Sequence, residues 1–480
     1  MMVYFSWLLA IMNILLAAAI IFLERRNVGT TWAWLLILLF IPIVGFVVYV
    51  VFGQNLSRRK IFRLSSKHAD EYQLLLEGQL QALETNAILF NDISAKENQS
   101  AIHLNLTHSQ SLFSQDNHID IFTDGEAKFS ALLRDIEAAQ HHIHLLYFIL
   151  KNDNIGKKVR DALVAKAKQG VKVRVLVDDM GSVRLPRSFF HSLIAAGGQA
   201  SAFFPSKWLP YLNFRMNYRN HRKLVIIDGQ TGYIGGFNIG DEYLGKDPKF
   251  GYWRDTHLRL TGSAVDDLQF RFMLDWSNAA TSKFGVDRSY FPLKKVVGTT
   301  GVQIVSSGPD SERQQIKDGM IKLMYSTKKS MYIQTPYFIP DESMMHAIKI
   351  AVMSGVDVRI MIPNKPDHIF VYWASLSQIG ELLPLGVRIF IYEHGFIHAK
   401  TIVMDGKTSS VGTANFDVRS FKLNFEVNAF IYDIETSGRL HAIFEEDMAL
   451  STELTWEKYQ QRKWTIRFKE SVSRLLSPIL

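Results

Sequence analysis

The chain has 480 residues, a formal net charge of +8 and no cysteine. That length allows two domains of ordinary size plus extra segments, and the missing cysteines exclude disulfides, thiolate metal sites and a cysteine nucleophile. The positive charge suits a polyanion or an anionic membrane surface as partner, and suits general solubility equally well.

Val3 to Leu23 carries no charge and is apolar apart from Ser6 and Asn13; Thr30 to Phe52 is a second uncharged run. Each has about 20 residues, the length a helix needs to cross the hydrocarbon core. Only Glu24 to Gly29 separates them, so residues 1–53 are expected to form a transmembrane helical hairpin. Trp32 and Trp34 sit where amphipathic rings favour the interface, and Pro42 should kink the second helix without abolishing it. A cleaved signal peptide fits poorly, because the start lacks basic residues and Ala17-Ala18-Ala19 leads into more apolar sequence. Arg58, Arg59, Lys60, Arg63 and Lys67 follow the second run, against Arg25 and Arg26 between the runs. The positive-inside rule then puts the large carboxyl-terminal part on the cytoplasmic side.

Residues 54–117 read as a juxtamembrane connector with a helical stretch around Glu71 to Leu83. Beyond it the chain repeats itself. Ile143-His-Leu-Leu-Tyr147-Phe-Ile149 loosely matches Ile333-Gln-Thr-Pro-Tyr337-Phe-Ile339, and Gly170-Val-Lys-Val-Arg-Val-Leu-Val177 closely matches Gly355-Val-Asp-Val-Arg-Ile-Met-Ile362. In both halves the Gly-Val pair follows a helical pattern and precedes a β-branched run. The expected fold class is α/β: two duplicated halves, 118–294 and 295–480, about a pseudo-two-fold axis. Two copies of this length are too few and too long for a solenoid.

Each half carries the pattern H-x-K-x-x-x-x-D: His221-Arg-Lys223-Leu-Val-Ile-Ile-Asp228 and His398-Ala-Lys400-Thr-Ile-Val-Met-Asp405. Asn238 and Asn415 follow their histidines by the same 17 residues. Leu224 to Ile227 and Thr401 to Met404 are strand-like and end in Asp-Gly turns. Residues i and i+2 share a face of a strand, so each histidine should point the same way as its lysine. Each aspartate lies an odd number of residues from its lysine and should face away, which suits a structural role for Asp228 and Asp405 within the motif. Gly235-Gly236-Phe-Asn238 and Gly412-Thr413-Ala-Asn415 offer small residues for close approach of a phosphate and an amide to donate to its oxygens.

Paired histidines and lysines suit a phosphodiester. One neutral histidine can attack phosphorus and form a phosphohistidine, while the other donates a proton to the leaving oxygen and then deprotonates the incoming hydroxyl. Lys223 and Lys400 would supply charge for the phosphoryl oxygens, and no metal or other cofactor is expected. A carboxylate on the far ring nitrogen would fix the tautomer. The candidates are Asp255 for the first half and Glu426 for the second.

Tyr459 to Leu480 mixes Arg462, Lys463, Arg467, Lys469 and Arg474 with Trp464, Ile466 and Phe468, whose alternation points to a strand packed on the core or an edge. A basic amphipathic helix on a membrane surface is the other reading. Phe203-Phe204 and Trp208 to Phe214 could line a lipid entrance or simply pack.

The paired motifs resemble those of the phospholipase D superfamily over about residues 118–460. More narrowly, Thr31-Trp-Ala-Trp-Leu, Arg219-Asn-His-Arg-Lys223, Thr335-Pro-Tyr-Phe-Ile339, Gly395-Phe-Ile-His-Ala-Lys400 and Asn415-Phe-Asp-Val-Arg-Ser420 resemble the bacterial cardiolipin synthases. The resemblance implies a metal-independent phosphatidyl transfer at the bacterial cell membrane. In it two phosphatidylglycerol molecules give cardiolipin and glycerol through a phosphatidyl-histidine. By analogy His221 is the nucleophile and His398 the acid/base. Membrane phospholipids are the implied partners and nucleic acid is not. A membrane-bound phospholipase D or other phosphatidyltransferase using the same intermediate is the alternative.

Overall fold

In the computed structural model the described residues are 66–205, 218–280, 287–294, 296–475 and 477, with 4, 7, 11–18, 28–41, 45 and 49 nearer the amino terminus. Among them no helix is long and apolar enough to cross a membrane. Helix α1 (Val28–Phe40) covers part of the second apolar run. Most of the expected hairpin, the cluster Arg58, Arg59, Lys60 and Arg63, and the segment Trp208 to Phe214 lie outside the described residues. Helix α2 (Ser66–Glu84) contains the helical stretch expected in the connector.

The first half contributes β1 (Phe113–Phe122), α3 (Gly125–Ala138), β2 (His142–Tyr147), α4 (Asn154–Lys168), β3 (Lys172–Asp178) and β4 (Gln199–Phe203). It continues with β5 (Arg219–Asn220), β6 (Leu224–Ile227), β7 (Thr231–Gly235), β8 (Trp253–Arg254), β9 (His257–Thr261) and α5 (Ala264–Ala279). The second half repeats this with β10 (Thr300–Ser307), α6 (Gln315–Ser326), β11 (Ser330–Gln334), β12 (Phe338–Ile339), α7 (Glu342–Met353) and β13 (Asp357–Pro363). Then come α8 (Ile369–Ile379), β14 (Arg388–Tyr392), β15 (Phe396–Ile397), β16 (Thr401–Met404), β17 (Thr408–Gly412), β18 (Phe416–Asp417), β19 (Asn424–Tyr432), α9 (Ile434–Ala449) and β20 (Ser451–Leu454).

The local signals explain these elements. Asp153 and Asp341 accept from the amides of Gly156 and Met344 and so cap α4 and α7. Both helices run out into a left-handed glycine, Gly170 at φ 89° and Gly355 at φ 88°, which is why Gly-Val recurs before β3 and β13. Those strands are buried along most of their length and read as β-branched runs because helices cover the sheet.

One mixed sheet runs through both halves in the order β20-β14-β13-β11-β16-β17-β19-β10-β1-β9-β7-β6-β2-β3-β4. Its centre is the antiparallel pair β1–β10. Read outward from that pair, β1-β9-β7-β6-β2-β3-β4 and β10-β19-β17-β16-β11-β13-β14 are the same order, so the duplication is a two-fold in the sheet itself. One core spans the junction, with Leu224, Ile234 and Leu258 of the first half against Ile304, Val411 and Phe425 of the second. The carboxyl-terminal segment departs from expectation: Trp464–Leu475 is a helix, α10, not a strand. Its apolar residues also fall at 464, 468, 472 and 475, a helical spacing that the 464/466/468 alternation obscured.

Candidate active site

Each motif begins on a two-residue strand that leaves its own half. Strand β5 pairs in parallel with β19, Arg219 opposite Asn424 and Asn220 opposite Phe425. Strand β15 pairs with β8, Phe396 opposite Trp253 and Ile397 opposite Arg254. The next backbone bond extends each ladder: His221 N donates to Phe425 O (2.9 Å) and His398 N to Arg254 O (2.7 Å). Each histidine is thereby set beside the residue that follows in the opposite half, Glu426 for His221 and Asp255 for His398.

Nδ1 of His221 lies 2.9 and 3.0 Å from the two Glu426 oxygens, and Nδ1 of His398 lies 2.7 Å from Asp255 Oδ2. The expectation that each carboxylate serves the histidine of its own half is corrected: the pairs are exchanged across the two-fold. The register also shows that the two carboxylates are equivalent. His257 is opposite Gly235 and Asn428 is opposite Gly412, and each carboxylate stands two residues earlier. The six-residue difference in their spacing from the histidines therefore lies in loops.

An ionised carboxylate only accepts, so Nδ1 carries the hydrogen in both rings and Nε2 is the nitrogen left for chemistry. Burial of Asp255 would raise its pKa, but Lys400 and His398 outweigh it and hold the carboxyl below its ordinary range. His221 and Lys223 do the same for buried Glu426. Burial lowers the pKa of His221 and takes His398 down to about 4, which favours the neutral ring in both at pH 7.

The lysines sit behind the histidines. Lys223 Nζ donates to His221 O at 2.7 Å, and Lys400 Nζ makes a short bond to His398 O. Both are buried, which takes Lys223 down to about 7 and Lys400 to about 8. A phosphodiester anion in the pocket favours their charged form and would drive their protonation.

Asp228 accepts from the amides of Gln140 (2.7 Å), His141 (2.7 Å) and His142 (2.9 Å) at the start of β2. Asp405 does the same with Lys328 (3.0 Å), Lys329 (2.7 Å) and Ser330 (2.9 Å) before β11. Both occupy left-handed turns, at φ 55° and 53°, followed by Gly229 and Gly406 at φ 63°, and so make the tight turns between β6 and β7 and between β16 and β17. Neither lines the pocket.

That pocket, about 600 Å³, is lined by His221, His398, Asn238 and Asn415 from the two motifs. The Asn238 amide donates to Tyr243 Oη (3.1 Å) and accepts from Ile149 N (3.1 Å); that of Asn415 donates to Asp417 Oδ2 (3.2 Å). The small residues Gly236 and Thr413, two before each asparagine, have different surroundings. A Cβ on Gly236 would lie 1.9 Å from Asp255 Oδ1, whereas Thr413 fits and accepts from Val427 N at 2.9 Å. Of the aromatic candidates, Phe203 and Phe204 pack against Phe425 in the core.

Sequence reasoning did not single out Arg219 and Arg419, which line the same pocket. Arg219 stands two residues before His221 on a strand, and that spacing was a usable signal. Burial lowers both guanidinium pKa values; Asp178 opposes this for Arg219 and Asp417 for Arg419. Two histidines and two arginines around one cavity, with two lysines behind, make a cationic pocket suited to an anion such as a phosphate.

The family profile described as "Cardiolipin synthase, PLD-like domain" matches residues 132–248 and 320–448, and that described as "Phospholipase D-nuclease N-terminal" matches 7–54. The chain is 56% identical to the major cardiolipin synthase of Bacillus subtilis (strain 168), covering 98% of each. It is 53% identical to a cardiolipin synthase of Oceanobacillus iheyensis, again over 98% of each. Among solved structures, the phosphatidylserine synthase of Haemophilus influenzae Rd KW20 shares the fold at a TM-score of 0.60 and 17% identity, covering 80% of this chain and 100% of that one.

Proposed function

The chain belongs to the cardiolipin synthase family of phospholipase D-like proteins, and from that membership we propose how its residues carry out phosphatidyl transfer. Its activity is cardiolipin synthesis, a phosphatidyltransferase reaction. The observation that supports the residue assignment is the exchange of carboxylates across the two-fold: each holds the Nδ1 of a histidine that lines the one cavity.

His221 Nε2 attacks the phosphorus of one phosphatidylglycerol. The bond from phosphorus to the glycerol headgroup oxygen breaks, and the His398 Nε2 proton goes to that oxygen. Burial favours neutral His398, and the negative charge of the phosphodiester draws a proton from solvent to it and so creates the acid form. The primary hydroxyl of a second phosphatidylglycerol then gives its proton to His398 and attacks phosphorus. The N–P bond returns its electron pair to His221, and cardiolipin leaves. One phosphodiester is exchanged for another, so no nucleotide is consumed. Glu426 and Asp255 hold Nδ1 and stabilise the imidazolium, and Lys223 and Lys400 place positive charge behind the phosphoryl group. Asn238 and Asn415 border the phosphate, while Asp228 and Asp405 hold the turns that carry the motifs.

We place residues 1–53 in the membrane as a hairpin, with 54–117 connecting it to the halves 118–294 and 295–480 on the cytoplasmic side. The two uncharged runs and the basic residues that follow them support this. The test is purified protein on phosphatidylglycerol as the sole lipid. Cardiolipin and glycerol in equal amounts are expected. Phosphatidic acid as the main product would make the protein a membrane-bound phospholipase D instead.

A further inference from the structure

Helix α10 is packed the wrong way round for a surface helix of a globular protein. Trp464, Phe468, Val472 and Leu475 recur at i, i+4, i+8 and i+11 and form a stripe, yet the stripe faces outward. Trp464 is 76% exposed, Phe468 63% and Leu475 80%. The inward side instead holds Glu470 and Ser473, both buried, and Glu470 is paired with Arg462 at 2.8 Å. An amphipathic helix ordinarily buries its apolar stripe in the core.

The flanks of the stripe are basic. Arg467 and Arg474 border one side and Lys469 the other, and Lys463 precedes the helix. Lys469 Nζ lies 5.3 Å from the ring of Trp373 on α8, the helix against which α10 packs. At the start of α8, Ile369 and Phe370 are also exposed, and the residues just before them, Asp367 and His368, line the catalytic pocket together with Val371. Exposed apolar residues therefore stand next to pocket-lining ones at the start of α8 and again on α10, which packs against it. Twelve residues of helix measure about 18 Å, too short to span a bilayer and suited to lying in its interface.

We propose that the outer face of α10, with Ile369 and Phe370 of α8, is a monotopic docking surface that inserts into an anionic lipid bilayer and sets the pocket mouth against it. The apolar stripe enters the headgroup–acyl boundary and the flanking cations meet lipid phosphates. The surface is separate from the expected amino-terminal hairpin. It rests on the lipid-transfer reading only for why the mouth shares this face; insertion can be measured without turnover.

The chain has no cysteine, so Phe468→Cys and Val472→Cys each take a single nitroxide label. Full-length labelled protein would be reconstituted into nanodiscs of phosphatidylglycerol and phosphatidylcholine. Both labels are expected to be more accessible to oxygen than to a water-soluble nickel chelate, as acyl-buried nitroxides are. Free access to the chelate at both positions overturns the proposal. Dipolar broadening between labels without lipid access also overturns it, by assigning the face to a second copy of the chain. A second arm uses Trp464→Ser with Phe468→Ser. Its turnover of bilayer phosphatidylglycerol should fall about tenfold, and its turnover of monomeric dibutyryl-phosphatidylglycerol should stay within about twofold of the parent. Equal loss on both substrates counts against docking. Lipid-buried labels on a protein that makes no cardiolipin would leave the docking surface standing and overturn the transfer reading.

Discussion

Replacing Glu426 by glutamine isolates the contribution of the exchanged carboxylate. Glu426 is fully buried and receives the Nδ1–H of His221 with both oxygens, at 2.9 and 3.0 Å. A hydrogen bond to a charged group contributes about 1.5–3 kcal/mol. Its loss alone slows the reaction about 10- to 150-fold. The orientation of the amide adds to this. Asn424 Nδ2 donates to Glu426 Oε1 at 3.2 Å and holds the glutamine oxygen there, still within reach of Nδ1–H, while the NH2 takes the Oε2 position, 3.0 Å from the same nitrogen. The NH2 competes as a donor to Nδ1 and so populates the tautomer with hydrogen on Nε2, which cannot attack phosphorus; a full switch of this kind costs up to about 10⁴-fold. The expected result is glycerol release in a single turnover slowed at least about 10-fold, measured by rapid quench with the melting temperature checked in parallel. Removing the negative charge also lowers the His221 pKa, so any residual activity should persist to lower pH than in the parent. A folded Glu426→Gln protein within about threefold of the parent rate would refute the carboxylate–histidine assignment.

Gly236→Ala should cost at least about 100-fold in kcat/KM, because its methyl would lie where Asp255 Oδ1 stands; Thr413→Ala, with no such neighbour, should cost much less. The alkaline limb of the kcat/KM profile should begin near pH 7–8: Lys223 at about 7 and Lys400 at about 8 lose their charge as pH rises. Affinity for inorganic phosphate as inhibitor should weaken over the same window, and a profile flat to pH 9 would contradict it. Asp275→Ala strips the buried Arg222 guanidinium of its bidentate partner (2.7 and 3.0 Å) and should destabilise the protein by about 3–5 kcal/mol in thermal unfolding. Asp228→Asn keeps the turn, since asparagine tolerates φ near 55°, but weakens three backbone contacts; stability should fall by about 1–3 kcal/mol with kcat/KM changed less than about tenfold.

Much of the site was legible because duplication shows in sequence. The strands β6 and β16, their Asp-Gly turns and the Gly-Val entries to β3 and β13 all have local signals, and they fall where periodicity and turn chemistry put them. The exchange of Asp255 and Glu426 was not legible. It depends on β5 with β19 and β15 with β8, contacts of two residues each that join opposite halves, and two residues carry no period. The two-fold sheet through β1 and β10 was hidden for a related reason, since pairing at that distance leaves no spacing rule. In α10 the competing principle was exposure. Apolar residues were assumed to seek the core, so the 464/466/468 alternation suggested a packed strand, while the helix places most of its apolar residues outward.

The most direct test of the account is to trap the covalent intermediate. His398→Ala protein, lacking the acid/base, would be mixed with the p-nitrophenyl ester of phosphatidic acid, whose leaving group needs no proton, quenched rapidly, digested and examined by mass spectrometry. A phosphatidyl adduct on the peptide containing His221 is the predicted result. An adduct confined to another residue of the His398→Ala protein, or cardiolipin formed by His221→Ala at the parent rate, would contradict it.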